Sequence, residues 1–454
     1  MFRSYKYNNR RVFNISSQSL STEIYTGGNV AYNFKIVDSS NSGNAFNFYV
    51  DDVYKKVLLN INSEDVVNVY DEAFNNSGIY RRKIKVQNTE GKFSNELEFK
   101  IVVKEKDVIT LDLPKPDDSD WNLPLSSKLI GANRSVWGTD VNDICDRVRN
   151  LKLNSFTLSC KFNISSLTGN DVVVDKNDIN LCKKILTNLA SDGTLRKINL
   201  IFEPYPYINA GDDVETEFKP SNPTLFLKNW KSAILNTIPK FLEYNFFGVY
   251  VNSNMDSLID YIDEWKDIYD SVKNIVPKSN VMVRTNFWTI AVWSQSHIDA
   301  FKNKINNKYF GIFDILAVAA YFELADVADA TSDQIYGWIV NGTAIYDRQQ
   351  KIRDEVREFA KVWNKKIFFG ELGCASYRYA VREPWNVNPS STIDEDTQAN
   401  LFKGYYRAFI SDLKDEDWFL GFSIYSTGDG GHYDVYGKKA GNYIRSLDAI
   451  NNFE

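Results

Sequence analysis

A chain of 454 residues is too long for one ordinary hydrophobic core, so at least two domains are expected. Hydrophobic residues make up 43% and charged residues 25%, the balance of a water-soluble globular fold. A formal net charge of -6 without any basic cluster argues against a nucleic-acid partner.

The start, MFRSYKYNNRRVFNISS, is polar and basic and lacks an apolar segment, so no secretory signal is expected and synthesis is placed in the cytoplasm. No apolar run approaches the roughly 18 residues that a membrane span requires.

Residues 12 to 105 read as short strands of period two: EIYTGGNVAYNFKIV, NAFNFYVDD, KKVLLNI, VVNVYDE and GIYRRKIKVQNTEGKFSNELEFKIVV, with Gly, Asn, Asp and Ser between them. In the last piece, NTEG separates two alternating runs and suits a hairpin. About seven short strands in about 95 residues predict a β-sandwich of immunoglobulin type over residues 1–105. The Pro-, Asp- and Ser-rich stretch at 106–127 then reads as a linker.

From Lys128 the texture changes. Eight apolar runs, KLIGANRS, NSFTLSCKF, KINLIFEPYPY, FFGVYVNSN, NVMVRTNFW, FDILAVAAYFEL, KIFFGELG and WFLGFSIYS, alternate with amphipathic stretches such as VNDICDRVRNLK, DINLCKKILTNLASD and AIYDRQQKIRDEVREFAKVWN. That arithmetic predicts a (β/α)8 barrel over 128–454, making the chain a multidomain protein of an all-β sandwich followed by a TIM barrel. A doubly wound sheet is the runner-up, disfavoured because no Gly-x-Gly-x-x-Gly follows the first strand.

The chemistry is bounded by two histidines, His297 and His432, too few for a zinc site with clustered nitrogen ligands. A Ser-His-Asp triad would have to draw on one of them. Carboxylates are therefore the expected proton carriers. Cys145, Cys160, Cys182 and Cys374 are spread without metal-ligand spacing and read as buried free thiols, so neither metal nor cofactor is expected. The aromatic share of 14%, with 26 Tyr and 10 Trp, fits bulky core packing or stacking on sugar rings.

Barrel enzymes work at the C-terminal ends of their strands. There the eight runs deliver Asn133, Arg134 and Trp137; Lys161 and Asn163; Glu203 and Tyr205; Asn252 and Asn254; Arg284, Asn286 and Trp288; Tyr321 and Glu323; Glu371; and Tyr425, with Asp429 beyond it. A rim of amides, Arg and aromatic rings suits carbohydrate, because amides and charged groups read hydroxyls and rings stack on sugars.

The seventh run, KKIFFGELGCASYR, resembles the clan A glycoside hydrolases, most of all family 113. So do three segments C-terminal to it: Thr397-Gln398-Ala399, Trp418 to Phe422 and Gly437-Lys438-Lys439-Ala440. The resemblance covers residues from about 128 onward and implies a retaining mechanism with Glu371 as nucleophile. It implies an acid/base carboxyl at the end of the fourth strand, where this sequence has Asn252-Ser253-Asn254 instead. Asp256, Glu203 and Glu323 are the candidate replacements, the last two reading equally as rim ion pairs with Arg284 or Lys161. Under the resemblance Arg134, Asn252, Asn286 and Tyr321 would position sugar, and Trp288 and Tyr425 would stack on it. The N-terminal module resembles the Ig-like modules found beside glycoside hydrolase domains or in phage tail proteins. Together these imply a phage tail or baseplate protein of the virion. It would bind a bacterial surface or wall polysaccharide with reduced or no catalysis, and other tail proteins would dock on the Ig-like module. The alternative is an active retaining, mannanase-like glycosidase.

Overall fold

The computed structural model describes residues 13–104 except 18, 26–27, 39–44, 62–65 and 75, and residues 128–452 except 135 and 429–430. The expected linker at 106–127 and Asp429 lie outside the described residues. The chain divides into two compact units, Met1–Asp112 and Leu113–Glu454.

The first unit is all-β. Its strands are β1 (Phe13–Ser16), β2 (Ser21–Tyr25), β3 (Gly28–Asp38), β4 (Ala45–Val50), β5 (Val53–Leu59), β6 (Val66–Phe74), β7 (Gly78–Gln87) and β8 (Leu97–Lys104). They form a three-stranded sheet, β1-β3-β6, and a five-stranded sheet, β2-β8-β7-β4-β5. The period-two pattern is the cause: alternate residues such as Phe34 and Ile36 of β3, Phe46 and Phe48 of β4, and Phe99 and Ile101 of β8 meet in one core. The β7–β8 pair is antiparallel, and its connection turns at Gly91, whose φ of 79° is the left-handed conformation that NTEG supplies.

The second unit is a closed barrel of parallel strands: β9 (Leu129–Arg134), β10 (Ser155–Ile164), β12 (Asn199–Ile208), β13 (Gly248–Ser253), β14 (Asn280–Asn286), β15 (Ile315–Ala319), β16 (Lys366–Leu372) and β17 (Phe419–Thr427). A two-residue strand, β11 (Val173–Val174), adds antiparallel to β10, and β9 pairs with both β10 and β17 to close the ring. All eight runs read from the sequence are barrel strands. Around them lie α1 (Val141–Asn150), α2 (Lys176–Ser191), α3 (Pro223–Thr237), α4 (Ile262–Ile275), α5 (Gln295–Ile305), α6 (Ser332–Asn341), α7 (Ile352–Trp363), α8 (Glu395–Tyr405) and α9 (Lys439–Leu447). Helix starts follow local chemistry: the side chains of Asp140, Asp175, Asn222 and Asp394 accept backbone N–H bonds at their N-caps, and Thr331 with Gln334 forms a capping box.

The barrel has two apolar layers. Leu129, Ile201, Phe247, Tyr250, Met282, Ile315, Ala317, Phe368 and Leu420 fill its interior, while the opposite faces of the same strands pack on the helices. Gly248 makes the interior layer possible, because a Cβ there would stand 2.3 Å from the Met282 sulfur. The interior filling stops at the level of Tyr250 and Phe368, and above it the barrel mouth turns polar. That level is the floor of the candidate site.

Candidate active site

Two β-bulges decide which side chains reach the barrel mouth. On β16, Phe368 faces the interior and Phe369 the helices, so simple alternation would turn Glu371 outward. The register with β15 instead shifts between Val318 and Ala319, pairing Phe369 with Val318 and Glu371 with Ala319. The extra residue is Gly370, and its insertion re-aims Glu371 into the mouth. Glycine is needed there: a Cβ would lie 2.7 Å from the Tyr250 hydroxyl and 2.8 Å from the Arg284 Cδ. On β13 the register with β14 shifts between Tyr250 and Asn252. This bulge sends Asn252 to the outer face, where its amide donates to the Tyr309 hydroxyl at 2.6 Å, and brings Ser253 inward.

The floor is a buried charged layer. Arg284, 1% exposed, forms ion pairs with Glu203 at 2.7 Å and Glu371 at 2.8 Å. Glu203, also 1% exposed, accepts a hydrogen bond from Ser253 at 2.8 Å and another from Ser159. Glu371 accepts from the Tyr321 hydroxyl at 3.0 Å on its other oxygen. Burial raises the Tyr321 phenol, with the Glu371 charge acting the same way, so it stays protonated as a donor.

Above this layer opens a cleft of about 520 Å³. Its lining includes Glu371, Tyr321, Tyr425, Tyr205, Glu215 and Asn254, with the half-exposed Trp385 among them. A wider depression of about 850 Å³ lies between α1 and α2, away from the strand ends, lined by Asn and Lys residues and no carboxylate.

Burial pushes the Glu371 carboxyl up to about 7; Arg284 opposes this, while Glu215 and Glu203 add to it. A carboxyl with a raised folded pKa stabilises the fold in acid and loses that contribution as pH rises to its folded value. The window runs from the ordinary 4.5 to about 7. Relative to Glu371→Gln, which does not titrate, the native protein should therefore lose about 3 kcal/mol of stability between about pH 4 and pH 8. Urea unfolding of both proteins at the two pH values checks this, and parallel behaviour would contradict it.

Of the residues expected at the site, Glu371, Tyr205, Asn254, Asn286, Tyr321 and Tyr425 line the cleft, with Arg284 and Glu203 directly beneath. Others require correction. Arg134 points outward from β9, where it pairs with Asp178 at 3.2 Å and with the Ser159 carbonyl; alternation past Asn133 places it there. Asn252 is displaced by the β13 bulge. Asp256 is held on the outer face by Lys304 at 2.8 Å and by Thr285 at 2.8 Å. Glu323 pairs with Arg348, neither with Arg284 nor with Lys161. Lys161 lies over the ring of Tyr207 at 4.3 Å and that of Trp137 at 5.7 Å, and Trp137 is half exposed, beyond the residues that line the cleft. Trp288 is no stacking platform: its indole donates to Glu355 at 2.8 Å and its ring packs on Phe301, Phe322 and Phe359. Trp288→Ala should cost about 3–5 kcal/mol of stability, read as a lower denaturation midpoint, with glycan affinity unchanged in the folded protein.

Several residues of the cleft, among them Phe287, Tyr433 and Trp385, have no counterpart among the sequence-based expectations, and one of these is a half-buried carboxylate. Glu215, from the loop after β12, lines the cleft half-buried; it accepts from the Asn254 amide at 2.9 Å and the Tyr205 hydroxyl at 3.4 Å. Its only signal is the acid-rich run DDVETE between the third strand and its helix.

All four cysteines are buried and free. Folding does bring Cys160, Cys182 and Asp178 together, with one ligand atom of each lying within 4.8 Å of the others. Sequence spacing does not indicate this group, because Cys160 is on β10 and the other two on α2. Both Asp178 oxygens are engaged, one by Arg134 at 3.2 Å and one by the Lys161 N–H at 2.6 Å, which sets a fixed cation beside the cluster. That does not suit a metal. Among the described residues no helix is long and apolar enough to cross a membrane.

A closed parallel barrel with a carboxylate turned into a polar, aromatic cleft at the strand ends defines a glycoside hydrolase-like barrel. Comparison agrees: the model of Glycoside Hydrolase Family 113 matches residues 252–435, from the end of β13 past Glu371 to the segment after β17. The fold is similar to that of the GH113 β-mannanase AaManA of Alicyclobacillus acidocaldarius, at a TM-score of 0.52 and 15% identity, over 73% of this chain and 100% of that one. It is also similar to a GH113 β-1,4-mannanase at a TM-score of 0.54 and 14% identity, over 71% and 99%. At such identities the likeness is one of fold. No curated protein matches the chain.

Proposed function

We propose that the protein is a retaining glycoside hydrolase acting on a β-linked polysaccharide, with β-mannan as the leading substrate class. The observation that carries this reading is the delivery of Glu371 into the cleft by the Gly370 bulge, held by Arg284 at 2.8 Å and Tyr321 at 3.0 Å. Arg284 opposes the upward push of burial on this carboxyl and so favours the ionised form a nucleophile must take, and Tyr321 fixes the orientation of its second oxygen. One Glu371 oxygen attacks the anomeric carbon as the glycosidic bond breaks, giving a glycosyl ester that water then hydrolyses. Tyr425, Phe287 and Trp385 offer ring faces to the sugars, and Asn286 an amide to their hydroxyls. The family match over the segment containing Glu371 supports the chemistry, and the names of the two similar proteins support β-mannan as substrate.

The test is release of reducing ends from mannan, glucan and bacterial wall glycan by the full chain, with the anomeric configuration of the product read by NMR. Turnover with retention supports the proposal. Binding to a glycan with no turnover supports a second reading, a carbohydrate-binding barrel without catalysis, which the carboxyl-free sequence Asn252-Ser253-Asn254 at the end of β13 favours.

For the N-terminal unit we infer the role of an Ig-like docking module in a phage tail or baseplate meeting a glycan-bearing surface. Its two sheets around one core and its place ahead of a glycoside hydrolase-like barrel support this. Mass analysis of purified particles tests it, and absence of the chain from them would overturn it.

A further inference from the structure

Retaining hydrolysis needs a second carboxyl group, which gives a proton to the leaving oxygen and then takes one from water. The end of the fourth barrel strand carries none. Resting on the proposed function, we infer that Glu215 is that group and that the acid/base has moved from the fourth strand to the loop after the third.

The other acids near the mouth are excluded by what they touch. Glu203 is 1% exposed and committed to Arg284, Ser253 and Ser159 beneath the cleft. Asp256 is committed to Lys304 and Thr285 on the outer face, and Glu323 to Arg348. Glu217 lines the cleft only as an exposed residue of the lip. Glu215 alone is half-buried, faces the same cleft as Glu371 and keeps no cationic partner among the ion pairs of the described residues. The third and seventh strands are four apart in either direction round an eight-stranded ring, so their loops face each other across the mouth. Glu215 and Glu371 thus line one cleft, as two carboxyls flanking a scissile bond must. The charge of Glu215 is felt at Glu371, where it adds to the upward push of burial.

Asn254 explains how the move is held in place. It stands just past β13, where the expected acid would be, in the left-handed conformation with φ of 59°. Its amide donates to Glu215 at 2.9 Å, and the Tyr205 hydroxyl approaches the other oxygen at 3.4 Å. An amide suits a group that must change protonation state: its NH2 donates to the carboxylate and, after rotation, its oxygen accepts from the acid. In the first step the Glu215 carboxyl gives its proton to the glycosidic oxygen as the C1–O bond breaks and the Glu371–C1 bond forms. In the second, Glu215 takes a proton from water, whose oxygen attacks C1 and releases Glu371.

The experiment compares the intact protein with Glu215→Ala, Glu215→Gln and, as a control on the same loop outside the cleft lining, Asp212→Ala. The substrates are β-mannan and dinitrophenyl β-mannobioside, whose leaving group needs no proton. Both Glu215 variants should lose on the order of 100- to 10000-fold on mannan. On the aryl substrate Glu215→Ala should still glycosylate, stall at the ester and be accelerated by azide to a glycosyl azide of retained configuration. The basic limb of the pH profile should vanish, while the activity of Asp212→Ala and the unfolding midpoints stay unchanged. A merely structural role for Glu215 gives neither azide rescue nor the lost limb. Turnover on mannan within about twofold of the intact protein, or no azide acceleration of the aryl substrate, overturns this inference and leaves the proposed function standing. No turnover of either substrate by the intact protein overturns both.

Discussion

Glu371→Gln is expected to abolish polysaccharide cleavage, with a fall on the order of 10000-fold or more, while glycan binding persists. The substitution keeps size and shape and preserves an oxygen that can accept from Tyr321, now at 3.0 Å from the carboxylate. What it removes is the anionic oxygen that forms the glycosyl ester, because a neutral amide is a poor nucleophile, so both steps of the reaction lose their covalent route. The Arg284 side chain keeps its ion pair with Glu203 at 2.7 Å, so the floor of the cleft should hold. Reducing-end release and calorimetric titration with the same polysaccharide separate the two effects. Equal cleavage by both proteins would remove Glu371 from the chemistry.

Arg284→Met should destabilise the fold by about 3–5 kcal/mol, the cost of breaking a buried ion pair by deleting one partner. Arg284 is buried and pairs with two carboxyl groups on different strands, Glu203 of β12 and Glu371 of β16, so its loss leaves both facing a low-dielectric layer without a cation. The Glu371 carboxyl, already at about 7 with Arg284 present, should move further up, leaving less ionised nucleophile at neutral pH. Arg284→Lys should recover only part of the stability, because one ammonium cannot span two carboxylates as the planar guanidinium does. Denaturant midpoints for the three proteins check this; a Met variant as stable as the parent would contradict it.

The barrel was legible in the sequence because each strand is a dense apolar run between polar stretches, and β16 announced Glu371 by ending such a run. The helices were less so. Short polar ones such as α5, which buries little beyond Phe301 and Ile305, have too weak a periodicity to stand out. At the strand ends the sequence showed which residues stand there but not which way they face: Arg134 turns outward by plain alternation on β9. Asn252 was misplaced because one extra residue on β13 reverses the faces beyond it, and the same device on β16 is why Glu371 points inward. Trp288 was misplaced because an aromatic residue past a strand end reads alike whether it meets sugar or folds back onto Phe301 and Phe359. Glu215 was missed for another reason. It lies on a loop, where no period marks which of four nearby acids sits half-buried in the cleft, and the bonds from Asn254 and Tyr205 that hold it there come from distant residues.

The central claim, a retaining mechanism through Glu371, is tested most directly by covalent trapping. The full chain is incubated with deoxyfluoro-glycosyl fluorides of mannose, glucose and galactose, which form the ester quickly and release it slowly. Intact mass and peptide mapping are then read. A single added glycosyl group on the peptide containing Glu371, absent from Glu371→Gln, is the predicted result. An adduct on another carboxylate, or none in a protein that cleaves polysaccharide, would contradict it.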